Sequence, residues 1–378
     1  MIFDHSALTT EQFLGEYWQR KPLLLRQALP DFKPELDAND IAGLACDELS
    51  EARLITGSFP KNDWALRYGP FTEKDFRGLP ETCWTLLVQD VEKHYPPLRR
   101  LLAQFSFLPS WRIDDLMVSV AGPGGSVGPH VDQYDVFLLQ AEGRRRWEIA
   151  QNGGDELLPG CDLNVLKDFD PEEHWVLDPG DILYLPPGVA HHGVAQDQCM
   201  TWSIGMRSPS RADLYQTLGE WLADTADEGG RYRDPDLQPH RLPGEIDPSS
   251  IQRFKELLST DELGPRQLES FLGGFLSRYR LAHQPAGPES PADRNSVAGA
   301  LNAGQQLRHN PWTRLLWTRA EQGARLFAAG SEYRCSAEFA QLLCDPDKLS
   351  SLDRVLSGPE QDLICELLNR GHLYFEQL

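Results

Sequence analysis

Apolar positions along this chain change their spacing twice, and the changes divide it into three stretches. In the first, to about residue 110, helical and strand spacing alternate. Glu11, Phe13, Leu14, Tyr17 and Trp18 follow Thr10 at helical intervals with Thr10 placed to cap, and Lys21-Pro22 ends the run before a strand-like LLLR. Asn39-Asp40 predicts the cap of a second helix reaching Leu49. Glu51 to Thr56 and Trp64 to Tyr68 predict strands, whereas Thr85 to Tyr95 and Pro97 to Phe105 predict helices, the latter opened by proline. From Trp111 to Met206 the texture turns to short β runs broken by Gly, Pro, Asn and Asp: RIDDLMVSV, YDVFLLQ, RRWEIA, WVLDPGDILYLP, HHGVAQ and MTWSIGMR. Short strands at this spacing predict an antiparallel barrel or sandwich with room for a site in its mouth.

After Ser208-Pro209-Ser210 the period becomes helical again. Leu214, Leu218, Trp221 and Leu222 form one stripe, Ile251, Phe254, Leu257 and Leu258 a second, and Leu268, Phe271, Leu272, Phe275 and Tyr279 a third. Such stripes serve either a local helical core or a homodimer interface. His283 to Ser296, rich in proline and small polar residues, reads as a linker. Beyond it Arg314 to Trp317 and Gly323 to Phe327 predict paired strands, Ser336 to Leu342 a short helix and Pro359 to Asn369 a longer one with Gly371 past its end. HLYFEQ predicts a last strand. The mixture resembles a winged helix, though it lacks the dense Lys/Arg face of a nucleic-acid reader. The division expected is 1–207, 208–282 and 297–378.

At 378 residues, two or three domains are expected. No apolar run reaches the length of a membrane span, and the N-terminus lacks a basic start and a small-residue cleavage site, so no membrane segment or secretory signal is expected and the location expected is cytoplasmic. Seven cysteines scattered without a CxxC pair point to reduced thiols. A net charge of −21 disfavours direct nucleic-acid binding and favours a basic partner.

The candidate chemistry lies in two stretches of the middle region. GPHVDQYDVF carries His130 and Asp132 two residues apart, and side chains so spaced on an extended backbone share one face. About sixty residues on, PGDILYLPPGVAHHG delivers His191 and His192 past a Pro-Pro-Gly turn. Neighbours on a strand point to opposite faces, so the two compete for one place; His191 is taken. An HxD triplet alone is weak evidence of a metal. Two histidines and a carboxylate on one face, with the remaining positions free, suit non-haem Fe(II) and O₂ chemistry.

Arg145, in GRRRW, is the cation such a site needs to hold a dicarboxylic co-substrate, because guanidinium grips carboxylate through two parallel hydrogen bonds. Arg144 and Arg146 should face away from it; the competing reading makes all three surface charges on an edge strand. Ser119 is placed to add a hydrogen bond from a neighbouring strand. Asp115, Met117 and Tyr134 offer a carboxylate, a thioether and a ring around the opening, suited to a cationic side chain, although each alone is as readily packing or surface. His94 and His174 read as structural and Cys199 as a small buried apolar residue.

Taken together, GPHVDQYDVF, GRRRW and PGDILYLPPGVAHHG resemble the JmjC-type 2-oxoglutarate oxygenases, and more closely the bacterial ribosomal oxygenases, over nearly the whole chain. The resemblance implies an α+β fold: a double-stranded β-helix (cupin/JmjC jelly roll), then a helical dimerisation region and a winged-helix-like domain. It implies Fe(II) on His130, Asp132 and His191, 2-oxoglutarate on Arg145 and Ser119, and a target side chain bordered by Asp115, Met117, Tyr134 and Ser203. The implied reaction is hydroxylation of an arginine β-carbon in large-subunit ribosomal protein sixteen, by a homodimer. Arginine at position 145, where JmjC enzymes often carry lysine, fits the bacterial branch; the second histidine, His192, departs from a single-histidine pattern. The rival readings are a histidine hydroxylase or N-methyl-lysine demethylase of the same fold, and a non-catalytic cupin-like regulator with a nucleic-acid-binding tail.

Overall fold

The computed structural model describes residues 1–151, 154, 156–225, 231–233, 235, 248–259, 263–278, 285–352 and 354–376. The chain divides into two compact units, Met1–Ser208 and Pro209–Leu378.

Twelve strands build the first unit: β1 (Leu23–Leu25), β2 (Ala52–Thr56), β3 (Ala65–Tyr68), β4 (Trp84–Val88), β5 (Ile113–Ala121), β6 (His130–Val131), β7 (Val136–Glu142), β8 (Arg145–Ala150), β9 (Glu173–Leu177), β10 (Ile182–Leu185), β11 (Ala190–Ala195) and β12 (Cys199–Met206). They form an eight-stranded sheet in the order β1-β10-β7-β12-β5-β4-β2-β3 and a four-stranded sheet in the order β6-β11-β8-β9. Alternation decides what each face does. On β5, Leu116, Val118 and Val120 join the core beneath the N-terminal helices, together with Phe13, Ile41, Phe105 and Trp202. Asp115, Met117 and Ser119 therefore face the other way, toward the smaller sheet. There Val136, Leu138, Leu183 and Leu185 of the larger sheet pack with Trp147, Ile149 and Leu177 of the smaller. The jelly roll is thus closed by an apolar plug at one end, and its polar inward residues are gathered elsewhere on the same faces.

Local signals placed most of these elements, with four corrections. Thr9 rather than Thr10 caps the first helix, Thr10–Glu16, by accepting from the Gln12 amide. Asp37 caps the second, Ala38–Leu44, which stops well short of Leu49. Pro96 to Phe105 is a succession of short helical turns rather than one helix. Residues 85–88, read as the start of a helix, lie in strand β4, inserted between β2 and β5. An apolar run such as TLLV satisfies either period, and only its two partners decide.

One buried network ties the N-terminal segment to the sheet. Asp135, fully buried, accepts from Arg112 Nη2 at 2.7 Å, Tyr184 Oη at 2.6 Å and Gln19 Nε2 at 2.9 Å. Both carboxylate oxygens are hydrogen-bonded, Oδ2 twice, which is what a buried charge requires.

In the second unit, helices Arg211–Thr225, Pro248–Leu257 and Pro265–Ser277 occupy the predicted stripes, while Tyr279 and the end of the first stripe, 226–230, lie outside the described residues. Ile251, Phe254, Leu257 and Leu258 stand exposed. The linker expected over 283–296 begins outside the described residues, and its end is already helix, since Asp293 caps Arg294–Asn302. The rest is a winged helix. Strands β13 (Gln306–His309) and β17 (Leu373–Glu376) pair; β14 (Leu315–Arg319), β15 (Ala324–Ala328) and β16 (Ser331–Cys335) form a three-stranded sheet. Helices Ala337–Cys344 and Gly358–Asn369 pack on a core of Leu326, Phe339, Leu343, Ile364 and Leu367.

Candidate metal and co-substrate site

Strand β6 is only two residues long, but its register on β11 sets His130 opposite His191. The two imidazoles abut, ring centroids 4.2 Å apart. Asp132 follows His130 by one turn of the pleat and brings Oδ2 to 3.9 Å from His130 Nε2 and 3.7 Å from His191 Nε2. One ligand atom from each of the three thus lies within 4.8 Å of the others. Both rings are locked from behind: Nδ1 of His130 donates to the Gly128 carbonyl at 2.9 Å and Nδ1 of His191 to that of Val189 at 3.0 Å. A carbonyl can only accept, so each Nε2 is left with its lone pair aimed at the cluster, the tautomer that binds metal. Burial, reinforced by His130, pushes His191 down to about 4, so at neutral pH it presents that lone pair unprotonated.

His192 turns to the other face. Its Nδ1 meets Glu148 Oε2 at 3.1 Å, and its ring packs against Phe59 and Phe169. The geometry therefore groups His191, and not His192, with His130 and Asp132.

Arg145 opens β8, opposite Ala195 of β11 and Leu177 of β9, and is 3% exposed. Its Nε and Nη2 are buried with no hydrogen-bond partner among the described residues. The flanking arginines behave as alternation requires: Arg144 donates to Asp197 and Arg146 to Glu148. Leaving two N–H donors of a buried cation unsatisfied is costly, and an incoming carboxylate is the partner that would satisfy both. Ser119, buried on the facing sheet, donates its hydroxyl weakly to the Thr201 carbonyl at 3.3 Å. A donor set of two imidazole nitrogens and a carboxylate oxygen, beside a guanidinium with two nitrogens unpartnered among the described residues, fits a divalent iron and a dicarboxylic acid.

Pairing of β5 with β12 sets Met117 opposite Ser203 and Asp115 opposite Gly205. A Cβ at Gly205 would lie 3.0 Å from Asp115 Oδ1, so glycine there leaves the carboxylate its room. Tyr134 exposes 41% of its surface, yet two carboxylates act on its hydroxyl. Burial first, then Asp132 and Asp115, push its pKa up. Asp115, Met117 and Ser203 are thus brought together by strand register, and Tyr134 lies near enough to Asp132 and Asp115 to feel both charges.

Two residues that the sequence reading passed over belong to the same surroundings. Trp147, on the same face of β8 as Arg145, has its ring centroid 5.9 Å from that of His191 and 5.8 Å from the Arg145 guanidinium. Its buried indole N–H has no partner among the described residues. Gly193 opposite makes this possible, because a Cβ there would meet the indole at 2.7 Å. Gln140, fully buried, accepts from Thr201 Oγ1 at 3.1 Å. The alternation in GRRRWEI already put Trp147 beside Arg145; the charges drew attention from it. Cys199 is buried with Ala121 and Ala195 in a small apolar cluster.

A JmjC domain model matches residues 100–214, and a ROXA-like winged helix model matches residues 256–374. Ribosomal protein uL16 3-hydroxylase of Escherichia coli is 33% identical over 385 residues, spanning 98% of each chain. A probable ribosomal oxygenase of Haemophilus influenzae is 39% identical over 268 residues, spanning 66% of this chain and 63% of that one. Among solved structures, E. coli YcfD superposes with a TM-score of 0.86 at 31% identity, over 98% of this chain and 99% of that one. The same protein in complex with cobalt and 2-oxoglutarate superposes with a TM-score of 0.83, over the same shares at 31% identity.

Proposed function

This chain belongs to the JmjC-type ribosomal oxygenases, and on that premise we propose that it is an Fe(II)- and 2-oxoglutarate-dependent oxygenase that hydroxylates an arginine β-carbon of a large-subunit ribosomal protein. The observation that carries this reading is a buried Arg145 guanidinium, its Nε and Nη2 without a partner among the described residues, on the strand next to that of His191 in the cluster with His130 and Asp132. When bound, Fe(II) with 2-oxoglutarate supplies O₂ activation, with succinate and CO₂ as co-products.

The chain's own residues do the positioning. His130, Asp132 and His191 would hold the metal through two imidazole nitrogens and a carboxylate oxygen. Arg145 takes the distal carboxylate of 2-oxoglutarate through paired N–H donors, and Ser119 adds a hydroxyl. Trp147 walls the space between Arg145 and His191 and keeps water from both. Asp115 pairs with the target guanidinium, Tyr134 and Met117 flank it, and Ser203 borders it, so that the β-carbon rather than the charged end is presented.

The partner is a basic ribosomal protein, drawn by a chain of net charge −21, and neither a membrane nor nucleic acid. No helix among the described residues is long and apolar enough to cross a membrane, and the setting proposed is the cytoplasm. We assign residues 1–207 to catalysis, 208–282 to a homodimer contact and 297–378 to the winged helix. The exposed Ile251, Phe254, Leu257 and Leu258 support the dimer contact.

Incubation with Fe(II), 2-oxoglutarate and isolated large-subunit proteins, read by intact mass and fragment sequencing, tests the activity. The expected result is one added oxygen on one basic protein, at an arginine β-carbon, absent with His130→Ala and Asp132→Ala. Oxygen on histidine, release of formaldehyde, or no turnover of 2-oxoglutarate would each replace this reading with one of its rivals.

A further inference from the structure

A single row of paired residues crosses five strands of the larger sheet: Arg53 on β2, Leu87 on β4, Ser119 on β5, Thr201 on β12 and Gln140 on β7. Cross-strand partners share a face, and Ser119 faces the site; Arg53 therefore does too. Ala52 and Leu54, its neighbours, are in the opposite core. Two strand spacings separate Arg53 from Ser119, about 10 Å. Its side chain leans toward the residues assigned above to the target: Nη2 is 4.0 Å from Met117 Sδ, and its charge opposes those of Asp132 and Asp115 at the Tyr134 hydroxyl.

This placement is electrostatically unfavourable for a site that receives a cation. A second guanidinium beside the pocket repels the first, and thioether sulfur is too weak an acceptor to hold it. Arg53 Nε is buried and has no hydrogen-bond partner among the described residues. Thus a charged donor fork stands part-buried beside the residues assigned to the target, its Nε without a partner among the described residues.

We propose that Arg53 is a substrate-binding residue whose guanidinium takes main-chain carbonyl oxygens of the segment flanking the target arginine. The inference rests on the oxygenase reading above. Carbonyls are the acceptors every segment brings, whereas a basic segment is poor in carboxylates. Docking then satisfies the Arg53 donors only when a peptide backbone lies beside them, so a free cationic small molecule meets repulsion with nothing to offset it, whereas a protein segment offsets it with its carbonyls. Arg53 selects for arginine carried in a chain.

The test uses the full chain with Fe(II), 2-oxoglutarate and the hydroxylated ribosomal protein, or a peptide spanning its target. A bystander cation and an anchor predict opposite signs. Removing a bystander relieves repulsion, so Arg53→Met would lower the peptide KM or leave it unchanged. Removing an anchor raises it, by about 10- to 100-fold for hydrogen bonds from a charged group, with kcat within about threefold. Arg53→Lys, which keeps the charge and loses the fork, should fall between. The KM for 2-oxoglutarate should stay at the wild-type value in both variants. A lowered or unchanged peptide KM overturns the inference, and so does a parallel rise in the 2-oxoglutarate KM, which would mark a structural role. A second peptide with its acidic residues replaced by amides should show the same ratio of variant to wild type; collapse of the ratio would mean that a side-chain carboxylate is read instead and would also overturn it. Failure of the wild type to hydroxylate any ribosomal protein would sink the parent reading and is distinguished by that control.

Discussion

Replacing Arg145 by methionine should raise the stability of the ligand-free protein and abolish its response to 2-oxoglutarate, two effects of opposite sign from one substitution. Arg145 is 3% exposed and leaves Nε and Nη2 without a partner among the described residues, a burden of about 1–3 kcal/mol that an apolar side chain of similar length removes. Loss of its contact with the Trp147 ring, 5.8 Å away, returns about 0.5–1 kcal/mol. For a unit of this size, a remainder of about 1 kcal/mol, the middle of that range, corresponds to a midpoint rise of about 2–4 °C. Co-substrate affinity moves the other way. Two charge-assisted hydrogen bonds at about 1.5–3 kcal/mol each, partly non-additive, make a loss of about 100- to 1,000-fold. At a 2-oxoglutarate concentration of 100 Kd with a redox-inert divalent ion, the wild type gains about 2.7 kcal/mol and the variant almost nothing. Differential scanning fluorimetry with and without 2-oxoglutarate reads both effects. Arg145→Lys, charged but without the fork, should recover part of the affinity. A ligand-free variant that melts lower than wild type while keeping its 2-oxoglutarate shift would refute the assignment, because it would mean that Arg145 is paired within the protein and serves the fold.

Anaerobic titration calorimetry with Fe(II) or Co(II) should show metal binding lost in His191→Ala and retained in His192→Ala, whose ring contacts Glu148 rather than Asp132. Gly193→Ala should cost about 1–3 kcal/mol in urea unfolding and weaken turnover, since the new Cβ meets the Trp147 indole at 2.7 Å; a variant as stable and active as wild type would show that the indole has room to move. Asp135→Asn keeps the shape but strands Arg112, and should lower unfolding stability by about 3 kcal/mol without changing the KM for either substrate. His191 has a folded-state pKa below its unfolded one, so the unfolded chain takes up the proton first. Metal-free protein should therefore lose stability as pH falls below about 6.5, down toward pH 4, and His191→Ala should show a shallower slope over that window.

Much of the site was legible because its information is local. The two-residue spacing of His130 and Asp132 fixes their common face wherever the strand lies, and the same alternation separates Arg145 from Arg144 and Arg146. Turn chemistry in PGDILYLPPGVAHHG announced a strand end, and caps at the helices of both units were readable to within a residue or two. Alternation also said that His191 and His192 face apart. Which of them faces inward was decided only by the register that pairs His191 with His130 across β6 and β11.

The remainder depended on partners remote in sequence. TLLV is a strand because β2 and β5 flank it, and no pattern within four residues could announce that. Arg53 carries no local signal at all; it reaches the site through a row of five residues that span positions 53 to 201. Periodicity along a chain reports which face a side chain takes relative to its neighbours. Which residues meet across strands is set by register, a property of two segments together, and so the shared face of His130 and Asp132 was written in the sequence while their meeting with His191 and the surroundings was decided by the fold.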